Sequence, residues 1–168
     1  NRIAINIDQT YLGDDKLTQD LIKLSTENNI PKGFISMEIP EDVIPNNKDK
    51  IKHLADELRK YEVMFSCDRY LGQYVDIEEL ANLGFKEVKV ARDIILALDK
   101  DPVKYDAMRR IVASSKKYDI SVGAVGVENA EQVKLLKALD ENIVAQGYYY
   151  YKALSRSDLI AALISYEK

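Results

Sequence analysis

Apolar positions along this chain follow two periods in turn. Short runs that are apolar at every or every second residue give way to stretches with apolar residues three and four apart, and the couplet repeats, predicting strands alternating with helices. Arg2 to Ile7 reads as the first strand, and Asp14 and Asp15 offer caps for a helix that sets Leu17, Leu21, Ile22 and Leu24 on one face. Phe34 to Ile39 is the next strand, closed by Pro40, which has no N–H for a ladder. Asn46 to Tyr61 reads as a helix with Ile51, Leu54, Ala55 and Leu58 as its stripe, and Val63 to Cys67 as a strand delivering Asp68 and Arg69. A short helix from Asp76 stops at Gly84 in the left-handed capping role, and Phe85 to Ala91 is again a strand. A long helix runs from about Pro102 to Tyr118 with Met108, Ile111 and Val112 buried. Strand Ser121 to Gly126, a helix carrying Val133, Leu135, Leu136 and Leu139, and strand Ile143 to Ala145 follow. Ser157 to Tyr166 forms the last helix.

Alternation of this kind predicts an α/β fold with a parallel sheet, whose strands should be apolar on both faces and carry reactive groups at their C-terminal ends. Asn6-Ile7-Asp8-Gln9 after the first strand is not the glycine fingerprint of a dinucleotide-binding fold. Asn6, Glu38, Asp68, Lys89, Glu128 and Gln146 fall at or just past successive strand ends. Any one of them has an ordinary explanation, since loops begin there. Together they argue for the shared rim of a TIM-type (β/α)8 barrel.

Composition narrows the setting. With 46% hydrophobic and 31% charged residues over 168 positions, the chain has the balance of a soluble globular domain, and one domain is expected. A net charge of −4 argues against a sequence-independent grip on a nucleic acid polymer. The single cysteine, Cys67, lies in an apolar run and is expected in the core of a cytoplasmic protein. No apolar run reaches membrane-spanning length. His53, the one histidine, is expected at a helix surface.

The ordered segments INID, MEIPE, CDRYLGQY, KVAR, AVGVE and AQGYYYYKAL resemble the EAL domain family, the cyclic di-GMP phosphodiesterases, where VNLS, LEITE, DDFGTGY, KIDR, AEGVE and AQGYLFSKPL stand in their places. The resemblance implies a barrel whose rim binds two divalent metals, Mg2+ or Mn2+, that activate water against one phosphodiester. By position, Asn6, Glu38 and Asp68 match metal ligands, and Lys89 matches the lysine near the attacking water. Glu41 and Glu128 match acids of the site and its supporting loop, and Gln146 matches a ligand-contacting glutamine. Residues 1–168 would then be the C-terminal three quarters of one domain, about six of eight βα units, the segment carrying the family tripeptide lying ahead of Asn1 in a longer protein.

The departures bear on function. Arg69 stands for the second Asp of DDFG, Ala91 for the Asp of KID and Val125 for the first Glu of AEGVE, so three carboxylates are lost and one cation is gained, a formal change of +4. Unit charges 4 Å apart interact by about 4 kcal/mol at an effective dielectric of 20, and a guanidinium beside a divalent ion would cost roughly twice that. The expectation is a degenerate site with no resident cofactor and no useful hydrolysis. It would act in signalling as a homodimer or through a partner protein. A metal-independent receptor for cyclic di-GMP using Arg69, Lys89, Gln146 and Tyr148 is the first alternative, and an active phosphodiesterase the second. Arg69 is expected to bridge to Asp68 or Glu38. Alternate members of Tyr148 to Tyr151 are expected to face the core and the rim, packing under the final helix.

Overall fold

The computed structural model describes residues 2–166. Six strands form one parallel sheet in chain order: β1 (Ile3–Asn6), β2 (Ile35–Pro40), β3 (Met64–Tyr70), β4 (Glu87–Val90), β5 (Ser121–Val125) and β6 (Val144–Gln146). Between and after them lie α1 (Asp15–Glu27), α2 (Lys48–Leu58), α3 (Ile77–Leu83), α4 (Arg92–Leu96), α5 (Pro102–Lys117), α6 (Ala130–Leu139) and α7 (Arg156–Tyr166). Each parallel neighbour is reached by a crossover of one hand, so a sheet that never reverses its order keeps its helices on one face and curls around the other. The result is part of a barrel with six strands, in which β1 and β6 each pair on one side only among the described residues. The expected span 1–168 includes positions 1, 167 and 168, which lie outside the described residues.

The helices start where the sequence supplies caps. Asp14 accepts from the Lys16 N–H, Asp76 from Glu79 and Asp101 from Val103, with Pro102 in the first turn. Asn129 and Gln132 close a reciprocal capping box on α6. Gly84, at φ +95°, ends α3 in the left-handed region.

Odd and even strand positions have different fates. On β2, Met37 and Ile39 point to the helices and are fully buried, as are Val88 and Val90 on β4. They meet Ile51, Leu58, Leu80, Phe85, Ile95 and Met108, and Phe65 packs edge-on to Phe85 at 6.1 Å between ring centres. The opposite face, toward the barrel interior, carries Ser36, Glu38, Ser66, Glu87 and Lys89. This corrects the expectation of strands apolar on both faces: a curled sheet has an inside that need not be apolar, and period 2 then reappears.

Other departures are local. β3 runs on to Tyr70, three residues past the expected end, through an irregularity between Cys67 and Tyr70 where Arg69 adopts φ +54°. Pro40 is the last residue of β2 rather than the first outside it. α4 was not foreseen, because five residues are too few to show a helical period. Leu24 is 53% exposed, since α1 sits beside the open edge of β1, and α7 buries none of Leu159, Ile160, Leu163 or Ile164. No helix among the described residues is long and apolar enough to cross a membrane.

Candidate functional site

The six polar residues do gather at one end of the sheet, as parallel strands with a common direction require. They are not equivalent there. Glu38 on β2 and Lys89 on β4 meet directly: the Lys89 ammonium donates to Glu38 Oε1, with side-chain exposures of 15% and 10%. Asn6 ends β1, exposed and in register with Glu38. Asp68 on β3 is part-buried, with its carboxylate 4.0 Å from Arg69 Nε.

Arg69 does not fill the space beside Glu38. Its left-handed backbone turns the side chain out of the strand, to where it donates to Asp42 Oδ1 at 3.3 Å with 63% of the side chain exposed. The expected bridge to Glu38 is therefore corrected, because Lys89 already holds that carboxylate, and the contact with Asp68 is at the outer limit of an ion pair. Asp42, which holds Arg69, was not singled out from the sequence; its neighbourhood to MEIPE was the available signal.

Glu41 is 2% exposed, and its two oxygens accept the backbone N–H groups of Leu71 (2.7 Å), Gln73 (2.7 Å) and Tyr74 (3.0 Å). It fixes the loop between β3 and α3 without touching the rim. The same carboxylate, after burial itself, raises the Cys67 thiol and the Tyr70 phenol well above their usual ranges, so both stay protonated in the fold. Cys67 is fully buried and His53 sits on the surface of α2 with its side chain 68% exposed.

On the far side, Glu128 pairs with Arg92 at 2.7 Å. Arg92 follows directly on Ala91 and was missed, although it lies inside the KVAR segment. The loop holding Glu128 is rigid: Gln132, 1% exposed, accepts from the Glu128 and Asn129 N–H groups, and Gly126 and Val127 both donate to the Gln146 carbonyl. Gln146 itself ends the edge strand β6 and is exposed. Tyr148 stands 66% exposed, with the Lys152 ammonium 5.9 Å from its ring centre. Tyr149, Tyr150 and Tyr151 are all at least 44% exposed, so the expected alternation is corrected. Tyr150 and Tyr151 donate back to the Gly147 carbonyl, making a turn in which period 2 has no meaning.

Electrostatically the rim is self-neutralised: Lys89 with Glu38, Arg69 with Asp42, Arg92 with Glu128. Among the described residues no three His, Cys, Asp or Glu side chains come together as a metal-holding group. Glu38 and Asp68 are the acids nearest to such a role, and an ammonium is seated on the first of them.

The family model for the EAL domain matches residues 1–153. The cyclic di-GMP phosphodiesterase NbdA of Pseudomonas aeruginosa is 26% identical over 165 residues, 98% of this chain and 21% of that protein. RocR, a cyclic di-GMP phosphodiesterase of the same organism, is 26% identical over 153 residues, 90% of this chain and 38% of that protein. This chain thus spans between about a fifth and two fifths of the curated relatives it matches. Among solved structures, the EAL domain of Mycobacterium smegmatis DcpA superposes with a TM-score of 0.88 at 21% identity, covering 98% of this chain and 73% of that one. The PaMucR phosphodiesterase in its c-di-GMP complex gives 0.86 at 21%, covering 94% and 64%. With the ordered motifs, the partial barrel of parallel strands and a family match over residues 1–153, this chain belongs to the EAL domain family.

Proposed function

We propose that this chain is a catalytically silent EAL module that works in cyclic di-GMP signalling through protein contacts. The carrying observation is the Arg69 guanidinium standing where the resemblance places an acid, next to Asp68 and paired with Asp42. Arg69, Ala91 and Val125 at the three departing positions support the same reading, because each takes away a ligand and one adds a positive charge. The residues present do not fit a pair of divalent ions, and no step of hydrolysis is assigned to them. Asn6, Glu38 and Asp68 keep the family's ligand positions, and Lys89 and Glu128 its catalytic ones, as remnants in which Glu38 pairs with Lys89 and Glu128 with Arg92.

The surface offered to a second copy or a signalling partner is the loop after β3 together with α3. Glu41 holds that loop in place and Tyr74 projects from it, 58% exposed. Metal-independent capture of cyclic di-GMP is the second reading, favoured by the exposed Arg69 guanidinium, whose fork matches a phosphate. It ranks lower because Arg69, Lys89 and Arg92 are each bound to a carboxylate, which an incoming phosphate would have to displace.

Calorimetry of the full-length protein with cyclic di-GMP, with and without Mg2+ or Mn2+, tests the proposal alongside detection of the linear dinucleotide. No heat and no product are expected. Metal-independent heat establishes the receptor reading, and turnover refutes silence. In the triple variant Arg69→Asp, Ala91→Asp, Val125→Glu, recovered Mn2+ binding means that the rim geometry is intact and only its charge was lost, and failure implicates the family segment ahead of the first strand.

A further inference from the structure

We infer that the strands closing this barrel carry a basic side chain that meets Glu87 in the barrel floor, below the rim described above. The inference concerns how the domain is completed, and it is independent of the reading of a silent rim.

Glu87 on β4 lines the concave face of the sheet and is 8% exposed, although the barrel is open opposite it. Among the described residues no donor or cation meets its carboxylate. Lys89 lies two residues further on the same face, and its ammonium is bound to Glu38. Arg2, the other cation lining this concavity, donates to the Gly33 carbonyl at 3.3 Å and to Met64 Sδ at 3.0 Å. Ser36 and Ser66, 3% and 0% exposed, each hold a hydroxyl on the same face that finds no partner. Polar groups kept from water are costly unless bonded, and an ionised carboxylate is the costliest of them. Closing the barrel strips the remaining water from Glu87, so a counter-charge has to arrive with the strands that close it.

The geometry says where that charge comes from. β1 and β6 each pair on one side only among the described residues, and this chain covers 73% of a solved EAL domain. In a ring of eight, two strands set between β6 and β1 stand across the axis from β3 and β4, and so face Ser66 and Glu87, which are in register. The positions around Glu87 are small. Gly123 lies one same-face step further on β5, where an added Cβ would sit 3.7 Å from Glu87 Oε1. An eight-stranded interior is just wide enough for side chains to fill. Small residues around one acid leave that width to a long side chain from the opposite wall, and lysine and arginine have both the reach and the charge. The charge count agrees, since the inner faces of β2 and β4 set two acids, Glu38 and Glu87, against one base, Lys89.

Thermal unfolding of the full-length protein tests this with Glu87→Met and Glu87→Gln, the former also combined with replacement by Met of single Lys or Arg residues in the closing strands. Glu87→Met is expected to fall by about 5–10 °C, because the base opposite is left buried without its counter-charge. Glu87→Gln keeps the shape and an acceptor but not the charge, and is expected to fall by about 3 °C or more. One of the base replacements should return most of the Glu87→Met loss, since the buried pair is then absent altogether. If Glu87→Met does not fold alone, a folded double variant supports the proposal, and failure of every double variant overturns it. A Glu87→Met midpoint at or above that of the wild type overturns it, because an unpaired carboxylate would then have been removed. A loss that no base replacement returns overturns it as well. So does an unchanged Glu87→Gln, which would make a neutral donor sufficient, or rescue of Glu87→Met by Arg2→Met, which would put the partner inside this chain. Turnover of cyclic di-GMP bears on the rim alone and leaves these midpoints as the separate measure of Glu87.

Discussion

Removing the Glu41 carboxylate should release the loop between β3 and α3. Glu41 is 2% exposed and accepts three backbone N–H groups, from Leu71 on one oxygen and from Gln73 and Tyr74 on the other. Hydrogen bonds to a charged group contribute about 1.5–3 kcal/mol each, which taken at face value would make Glu41→Ala ruinous. Two features reduce the figure. Gln73 and Tyr74 are exposed, so their freed N–H groups can turn to water, and the Gly72 hinge at φ +71° gives the loop freedom to move. A net loss of about 3–5 kcal/mol is therefore expected, equivalent to a fall of about 6–20 °C in the unfolding midpoint. Glu41→Gln should lose roughly half as much, because its one oxygen can keep Gln73 and Tyr74 while Leu71 meets an N–H instead of an acceptor. Circular dichroism melts give the midpoints. Amide hydrogen exchange locates the effect, with lost protection at Leu71, Gln73 and Tyr74 and little change in β2 or β4. A Glu41→Ala protein within about 1 kcal/mol of wild type, with those three amides still protected, would refute the account.

Three further outcomes follow from the same structure. A Cβ on Gly147 would clash with the Val127 carbonyl oxygen and nitrogen, so Gly147→Ala must part β6 from the loop after β5, and a fall in midpoint of about 5 °C or more is expected in melts. Asn129→Ala removes the capping box of α6 and leaves Gln132 buried without its return bond; a loss of about 1–2 kcal/mol by urea titration is expected, and an effect below about 0.3 kcal/mol would deny the cap its role. Burial first, and then the Glu41 charge, raise the Cys67 thiol and the Tyr70 phenol. The unfolded chain releases these protons near about pH 8.5 and 10 while the folded chain retains them, so the contribution is complete below about pH 8.5 and is lost as pH rises. Melts should show stability declining from about pH 8.5 upward, with Cys67→Ala removing the first part of the decline; an alkaline limb identical in that variant would speak against it.

The hydrophobic pattern alone determined much of this protein. Period 2 and period 3.6 give way to one another at caps such as Asp14, Asp76, Asp101 and Asn129, and local chemistry of that kind acts within a few residues, so element type and order are legible in a single chain. The alternation in turn implied a parallel sheet, and the common direction of parallel strands brought Asn6, Glu38, Asp68, Lys89, Glu128 and Gln146 to one end. What the pattern does not carry is which of those side chains touch. Lys89 reaches Glu38 across the intervening β3, a contact between two strands far apart in sequence. Arg69 looked free to enter the position of a lost acid, yet a left-handed backbone at one residue aims it at Asp42. Tyr148 to Tyr151 resembled the continuation of a strand, and backbone bonds to Gly147 and Val127 make them a turn. Pairing between distant charges depends on angstroms set by curvature, bulges and the size of intervening residues, and only the folded sheet supplies those.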